Sequence, residues 1–196
     1  MKKRFLFVLL IAAASSTLFA QKVPISWVKT YVTQPYDRNG AGIKFVLWYP
    51  QVDSCLGAEK INRFLKNARR QWSDSKISGP DKNTGGSYEE TNTVFVTYNK
   101  NGLLSFNKYW GYSLSKGRAN DGYNYGLTFD TKTGNVLKTD DFIDQAALGL
   151  ATALQSDDNC FLTADGLTIP DQDGNQEFSF KQLKPFAKKR WSHLFK

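Results

Sequence analysis

Acidic side chains are the first candidates for chemistry in this sequence of 196 residues. Asp140, Asp141 and Asp144 lie close enough along the chain to bind a cation or to act as an acid and base pair. Carboxylates are also favoured at the start of a helix, where they stabilise the helix dipole without any reaction. We therefore interpret these three residues as helix-capping residues.

The spacing of Asp171, Asp173 and Asn175 matches the start of a calcium-binding loop, but the twelfth position of that loop is Gln182 and not a bidentate glutamate. His193 is the single histidine, and we expect it to be solvated. One histidine excludes most zinc-hydrolase and Ser-His-Asp schemes. The sequence therefore predicts no metal, no cofactor and no catalytic residue.

Aromatic residues give the strongest indication of binding. The chain contains 14 Phe, 9 Tyr and 5 Trp, which is more than a core of this size needs. Trp48, Phe95 and Tyr109 alternate away from the apolar stripes of their predicted strands, so we expect them to be exposed. Exposed aromatic rings suit a sugar ring or a protein partner. The alternative is that helices cover this second face as well.

Positive charge is concentrated near the two ends of the sequence. The formal net charge is +8, of which residues 1–20 carry +3 and residues 181–196 carry +6, so residues 21–180 sum to −1. A nucleic-acid-binding protein would spread cationic side chains over a whole face, so nucleic acid is not predicted as a partner. The basic tail contains four candidates for contact with an anionic envelope polymer or lipid head groups: Lys188, Lys189, Arg190 and Trp191. The alternative is a solvated terminal helix.

The two cysteines, Cys55 and Cys160, have two interpretations. In an oxidising compartment they can form a disulfide, which would stabilise so long a loop by about 4–5 kcal/mol on the chain-entropy estimate. Each can instead be a small buried apolar residue. We favour the disulfide, although spacing alone does not bring the two Cα atoms within bonding distance.

Residues 1–20 have the layout of a secretory signal peptide. Lys2, Lys3 and Arg4 precede an apolar run, and Ala20 is the predicted cleavage site. This predicts a periplasmic or extracellular protein with residues 21–196 as its mature form. No other segment approaches the roughly 20 apolar residues of a membrane span, so no transmembrane anchor is predicted.

Alternating apolar residues predict the strands that position these candidates. The main predicted strands cover residues 23–33, 43–49, 90–99, 103–114 and 122–130, and short strands cover 160–163, 167–169 and 177–180. Leu104, Phe106, Trp110 and Tyr112 share one face, which we expect to be covered.

Two helices are predicted to pack on these strands. An apolar stripe from Ala58 to Trp72, which includes Ile61 and Leu65, predicts the first helix, and residues 140–155 are predicted to form the second. The polar residues 73–86 between the first helix and the next strand predict a loop. The fold class is therefore α+β, a single domain with an antiparallel β-sheet and two main α-helices packed on it.

Several short segments together resemble a bacterial extracytoplasmic family of unknown function. The matching segments are Tyr49-Pro50-Gln51-Val52, Thr128-Phe129-Asp130 with Thr133-Gly134, Phe161-Leu162-Thr163 and Leu183-Lys184-Pro185-Phe186. The family forms the outer domain of RsiV-type lysozyme-sensing anti-sigma factors and lies beside the catalytic domain of PdaC-type peptidoglycan deacetylases. The resemblance covers residues 23–187.

The resemblance implies an envelope protein and leaves three hypotheses for its function. The first is an exported, non-catalytic binding or sensing module that recognises a protein or a cell-wall glycan. The alternatives are a wall glycan hydrolase or deacetylase-related enzyme, and a scaffold of an envelope complex. A basic lysozyme is not favoured as the partner, because a nearly neutral body with a basic tail would not steer it by long-range electrostatics.

Overall fold

Antiparallel strands dominate the structure, a computed structural model that describes residues 22–35, 42–81, 86–114, 120–147, 149, 160–171 and 174–195. The predicted signal peptide lies outside these residues, as does Asp173 of the calcium-like segment. No helix within the described ranges is long and apolar enough to cross a membrane.

The described strands form three antiparallel sheets. The largest has the order β3-β4-β5-β6-β7, with β3 (Ser75–Asp81), β4 (Gly86–Lys100), β5 (Leu103–Leu114), β6 (Asn120–Asp130) and β7 (Val136–Leu137). A separate hairpin consists of β1 (Ile25–Pro35) and β2 (Gly42–Val52). The third sheet has the order β10-β9-β8, with β8 (Phe161–Leu162), β9 (Gly166–Asp171) and β10 (Gly174–Ser179).

A tight turn joins β4 to β5 as the sequence predicts. Asn101 and Gly102 both have positive φ, 56° and 76°, and Lys100 pairs with Leu103. Asparagine and glycine tolerate this backbone conformation, which matches the twist of a two-residue hairpin. The turn fixes the register next to it, and a bulge between Val96 and Tyr98 shifts the pairing by one residue. The turn and the bulge together decide which side chains of β4 and β5 share a face.

The first predicted helix is present but shorter than its apolar stripe. Helix α1 extends over Ala58–Asn67 and buries Ile61 and Leu65 completely. Trp72 is also buried, in the same apolar cluster, although it lies beyond the helix. The stripe is therefore confirmed as part of the core.

The second predicted helix is wrong in its described part. Helix α2 contains only Thr139–Phe142, and Ile143 is extended, with φ −132° and ψ 159°. Ile143 is fully buried and forms an antiparallel β-bridge with Ala187. Pairing with a distant segment therefore overrides local helix propensity at this point. The described part of the chain is mostly antiparallel β-sheet with a few short helices, and it contains one helix of the predicted pair, α1.

The predicted loop at 73–86 is also wrong, because β3 lies within it. This strand pairs with β4 from Ser75 opposite Asn92 to Asp81 opposite Gly86. It is an edge strand of the sheet, which is the position where a polar strand with a proline such as Pro80 is tolerated. The polar composition of residues 75–81 therefore led to a loop prediction, although these residues form a strand.

Each face of the large sheet carries its own core. The helix-side core places Leu104, Phe106 and Phe129 against α1. The opposite core contains Leu103 together with the end of the described chain, including Trp191 and Phe195, and helix α3 (Phe180–Leu183) contributes Leu183 to it. Neighbouring residues of β5 alternate between the two cores because successive strand side chains point to opposite faces.

Candidate functional site

Helix α1 is too short to cover the large sheet. Its ten residues span about 15 Å, whereas the twelve residues of β5 span about 40 Å. The apolar cluster around α1 includes Leu104 and Phe106 but not Trp110 or Tyr112 from the same face. Among the described residues this face is therefore only partly covered beyond that cluster, since Trp110 and Tyr112 are half-buried and Tyr123 is 38% exposed. We call the part of the sheet from the margin of this cluster onward, residues 89–95, 108–113 and 121–125, the open half; Val94 and Tyr125 form that margin, because they still contact the cluster.

On the helix side of the open half, four rings contact one another in an aromatic row. The ring centroids of Tyr125 and Tyr123 are 4.8 Å apart, those of Tyr123 and Trp110 are 4.6 Å apart, and those of Trp110 and Tyr112 are 5.1 Å apart. The strand register explains the row, because Trp110 lies directly opposite Tyr123. Tyr123 remains 38% exposed, so the row presents aromatic surface to solvent.

A buried lysine borders the aromatic row. The Nζ atom of Lys108 lies 5.3 Å from the centroid of the Tyr125 ring, a cation–π geometry. Burial lowers the pKa of Lys108, and the charge of Glu90 acts in the opposite direction. Lys108 therefore combines an apolar stem packed in the sheet with a cation held among aromatic rings.

On the opposite face of the open half, Tyr109 lies against a pair of glycines. Gly111 and Gly122 are directly opposite each other on β5 and β6. A Cβ atom at Gly111 would lie 2.8 Å from the Tyr109 hydroxyl, and a Cβ atom at Gly122 would lie 2.6 Å from it. The absence of both side chains therefore lets the Tyr109 ring lie on the sheet, where it is still 42% exposed.

Polar side chains surround the Tyr109 ring. It borders a shallow depression of about 560 Å³ that Glu89, Thr91 and Ser113 also line. Tyr112 and Asp121 line it as well, although the strand register assigns their side chains to the other face. The carboxylate of Glu89 forms an ion pair with Lys76 at 2.8 Å. The depression thus combines one aromatic surface with carboxylate and hydroxyl groups.

The three aromatic residues singled out in the sequence are exposed, but they do not form one surface. Phe95 is 50% exposed and lies opposite Asn107, diagonal to Tyr109 on the same face of the sheet. Trp48 belongs to the β1–β2 hairpin, and its backbone pairs with Asp74. The structure therefore brings Phe95 and Tyr109 together and places Trp48 elsewhere.

The hairpin carries a second set of exposed rings, of which the sequence analysis identified Trp48 but missed Trp27 and Tyr31. Trp27 and Trp48 are exposed, and Tyr31 is 69% exposed. The Nζ atom of Lys29 lies 5.4 Å from the Tyr31 ring centroid and 5.5 Å from that of Trp48. The alternation of Trp27, Lys29 and Tyr31 in one strand was the available signal, because residues two apart share a face.

The basic tail is part of the fold rather than a solvated helix. Trp191 is buried, and its ring centroid lies 5.5 Å from that of Phe142. Arg190 donates a hydrogen bond to the buried carboxylate of Asp130. Residues Lys189–Phe195 form a 3₁₀ helix, and Lys188 and Lys189 are exposed. Of the four tail candidates, Trp191 is therefore corrected to a core residue.

The disulfide between Cys55 and Cys160 is not formed. Both residues are free thiols. Cys160 is fully buried in the core that contains Trp191, whereas Cys55 packs against the helix-side core. The two cysteines thus belong to the cores on opposite faces of the sheet, where each contributes as a small apolar group. Burial raises the pKa of the Cys55 thiol.

The acidic residues near α2 make local hydrogen bonds. The Asp141 carboxylate accepts the backbone N–H of Lys138 at 2.9 Å, and Asp144 accepts that of Ala147 at 3.2 Å. The interpretation as capping residues is confirmed for Asp141. Within the described ranges, no cluster of three or more His, Cys, Asp or Glu residues has the arrangement of a metal site.

Comparison with known proteins identifies the fold. No protein-family profile matches the sequence, and no curated protein sequence matches it either. A DUF3298 family protein from Pseudomonas aeruginosa PAO1 has a similar structure, with a TM-score of 0.52, 11% sequence identity and coverage of 88% of this chain and 98% of that one. A DUF3298 family member from Bacteroides fragilis gives a TM-score of 0.48 at 12% identity, covering 87% and 96% of the two chains. The chain therefore shares its fold with the Pseudomonas aeruginosa protein, a member of a family of unknown function.

Proposed function

We propose that this protein is an exported, non-catalytic binding module of the bacterial cell envelope, which recognises a protein or glycan ligand through the open half of its large sheet. The observation that carries the proposal is the aromatic row from Tyr125 to Tyr112. Tyr125 still packs against the core that contains α1, whereas Tyr123, Trp110 and Tyr112 continue the row beyond that core.

The aromatic row has the properties of a recognition surface. Tyrosine and tryptophan are enriched in protein interfaces because each offers a large apolar area and a polar group at little cost in conformational entropy. The contacts between Tyr123, Trp110 and Tyr112 hold these side chains in place before a ligand arrives. A preordered surface binds more tightly because fewer side chains must be immobilised on association.

The proposed location rests on residues 1–20 and on the resemblance in residues 23–187 to the outer domain of RsiV-type anti-sigma factors and the domain beside PdaC-type deacetylases. Within this setting a basic lysozyme remains a disfavoured ligand. Residues 21–180 have a net charge of −1 and the tail is basic, so long-range attraction would not accelerate its association. A neutral or acidic envelope partner fits better.

Co-sedimentation with isolated cell-wall sacculi and with envelope membranes tests the proposal. The full chain, expressed with residues 1–20, should start at Gln21 when purified from the periplasm, and should be depleted from the supernatant by one of the two preparations. The double variant W110A/Y123A should remain in the supernatant, whereas the hairpin variant Y31A should behave like the wild type. Retention of Met1, or equal sedimentation of the row variant and the wild type, would contradict the proposal, as would release of soluble wall fragments by the protein.

A further inference from the structure

We infer that the depression beside Tyr109 is a binding site for a neutral glycan, in which the exposed side of the Tyr109 ring stacks on the apolar face of a sugar ring. The inference rests on the proposed function for its setting in the envelope. The depression lies mainly on the face of the sheet opposite the aromatic row, although Tyr112 of the row also lines it. The two surfaces are therefore tested at residues that belong to one of them only, Tyr109 for the depression and Trp110 with Tyr123 for the row.

The glycine pair gives Tyr109 an orientation suited to stacking. Because the hydroxyl and ring edge of Tyr109 occupy the space that Cβ atoms of Gly111 and Gly122 would fill, one side of the ring rests on the backbone. The other side faces solvent and accounts for the 42% exposure. A ring supported in this way presents a flat apolar surface that needs no rearrangement on binding.

The groups around the ring favour a ligand that is rich in hydroxyl groups. The carboxylate of Glu89 can accept hydrogen bonds from sugar hydroxyls, and the hydroxyls of Thr91 and Ser113 can donate or accept them. Lys76 offsets the charge of Glu89. The Glu89–Lys76 pair leaves no unbalanced positive charge among these groups, so a neutral glycan is favoured over an anionic polymer.

The size of the depression favours a small ligand over a protein. Its volume of about 560 Å³ lies within the range of roughly 300–1,000 Å³ that is usual for small-molecule sites. A stable protein complex instead buries about 800 Å² on each partner over a continuous patch. Recognition of a few sugar units therefore matches the dimensions of the site.

The test is isothermal titration calorimetry, in which the purified protein is titrated with the tetramer of N-acetylglucosamine. Y109A removes the platform, and G122A places a methyl group 2.6 Å from the former position of the Tyr109 hydroxyl, so the ring must move while every polar lining group is retained. We expect each variant to weaken binding about tenfold or more. F95A is the matched control, because Phe95 is exposed on the same face but does not line the depression, and it should keep its affinity within about twofold. Circular dichroism and urea unfolding establish that each variant is folded.

Three outcomes would overturn the inference: no binding of the tetramer to the wild type, unchanged affinity in both Y109A and G122A, or an equal loss in F95A. A basic lysozyme titrated in parallel identifies the competing ligand, since binding that depends on Tyr109 for the lysozyme but not for the sugar would assign the site to a protein. If the wild type still sediments with an envelope preparation through Trp110 and Tyr123, the proposed function stands while the glycan site fails. If it sediments with neither preparation, the proposed function fails as well.

Discussion

The guanidinium group of Arg190 donates a hydrogen bond to Oδ2 of Asp130 across 60 residues of sequence. The other carboxylate oxygen of Asp130, Oδ1, accepts the backbone N–H groups of Lys132 and Thr133 at 2.8 Å and 3.0 Å. One buried carboxylate therefore orders the turn after β6 and holds the basic tail against the sheet.

Replacing Arg190 by glutamine should destabilise the protein by about 1–3 kcal/mol, because a charge-assisted hydrogen bond to a buried carboxylate is lost. The effect stays below that of an isolated buried charge, since the two backbone N–H groups still bind Asp130. Urea unfolding measures the change. K189Q is the matched control, because Lys189 is exposed and loses the same charge; an equal effect of the two substitutions would mean that the ion pair contributes nothing.

Truncation of Trp191 to alanine should cost about 3–5 kcal/mol, as for other large aromatic residues removed from a core. Its ring packs against Phe142 and is almost completely buried. The neighbouring S192A should change the unfolding free energy by less than about 0.5 kcal/mol, because Ser192 is exposed. If W191A changes the free energy of unfolding by close to zero, Trp191 is not a core residue and becomes a binding candidate again. Because Trp191 belongs to the core, a deletion of residues 188–196 would destabilise the fold as well as remove the positive charge of the tail. Charge-removing substitutions such as K189Q test the role of the tail charge instead.

The stability of the protein should depend on the ionisation of Asp74. Burial raises the pKa of this carboxyl above its ordinary value of 3.8, and the hydrogen bond from the Val94 N–H only partly opposes the shift. The folded state therefore binds protons more readily than the unfolded state between 3.8 and the raised pKa. The stabilising contribution is complete below pH 3.8 and is lost as the pH rises through the raised value.

Urea unfolding of the wild type and D74N between pH 3 and pH 7 measures this dependence. The asparagine retains an acceptor for Val94 N–H but does not titrate in this range. The stability of the wild type relative to D74N should fall as the pH increases. A relative stability that rises with pH would show that the carboxylate is better stabilised in the fold than its protonated form.

The thiols of Cys55 and Cys160 should both react with Ellman's reagent once the non-reduced protein is unfolded, because neither is in a disulfide. In the native protein Cys160 should be unreactive because it is fully buried. Cys55 should react slowly, since burial raises its pKa and lowers the thiolate fraction. If no free thiols are found after unfolding, the two cysteines form a disulfide after all. The variant C55S shows whether the slow reaction of the native protein comes from Cys55, because that reaction should then disappear.

Local patterns predict the fold well where a strand or turn depends on its own residues. The alternation in β5 gives the observed range Leu103–Leu114, and Asn101-Gly102 gives the observed turn. The failures occur where a distant partner decides the conformation. Ile143 is extended because it pairs with Ala187, and the polar strand β3 exists because β4 lies beside it.

The candidate site shows the same division. Alternation correctly predicts that Phe95 and Tyr109 are exposed, because it assigns faces within a strand. It does not indicate how far a helix reaches along those strands, so the aromatic row around Trp110 was expected to be covered. Likewise, the basic residues next to Trp191 in the sequence favour a solvent-exposed position for its ring. The tertiary fold instead packs this ring against Phe142, which the local sequence does not indicate.

The core that contains Trp191 and Phe195 has a consequence for the newly made chain. It combines residues of β4 and β5, such as Tyr98 and Leu103, with residues that are synthesised much later. At about 5–20 residues per second, the interval between Leu103 and Phe195 is roughly 5–20 s. Until then this apolar face of the large sheet lacks the part of its cover that Trp191, Leu194 and Phe195 supply, and exposed apolar surface makes an incomplete chain prone to aggregation.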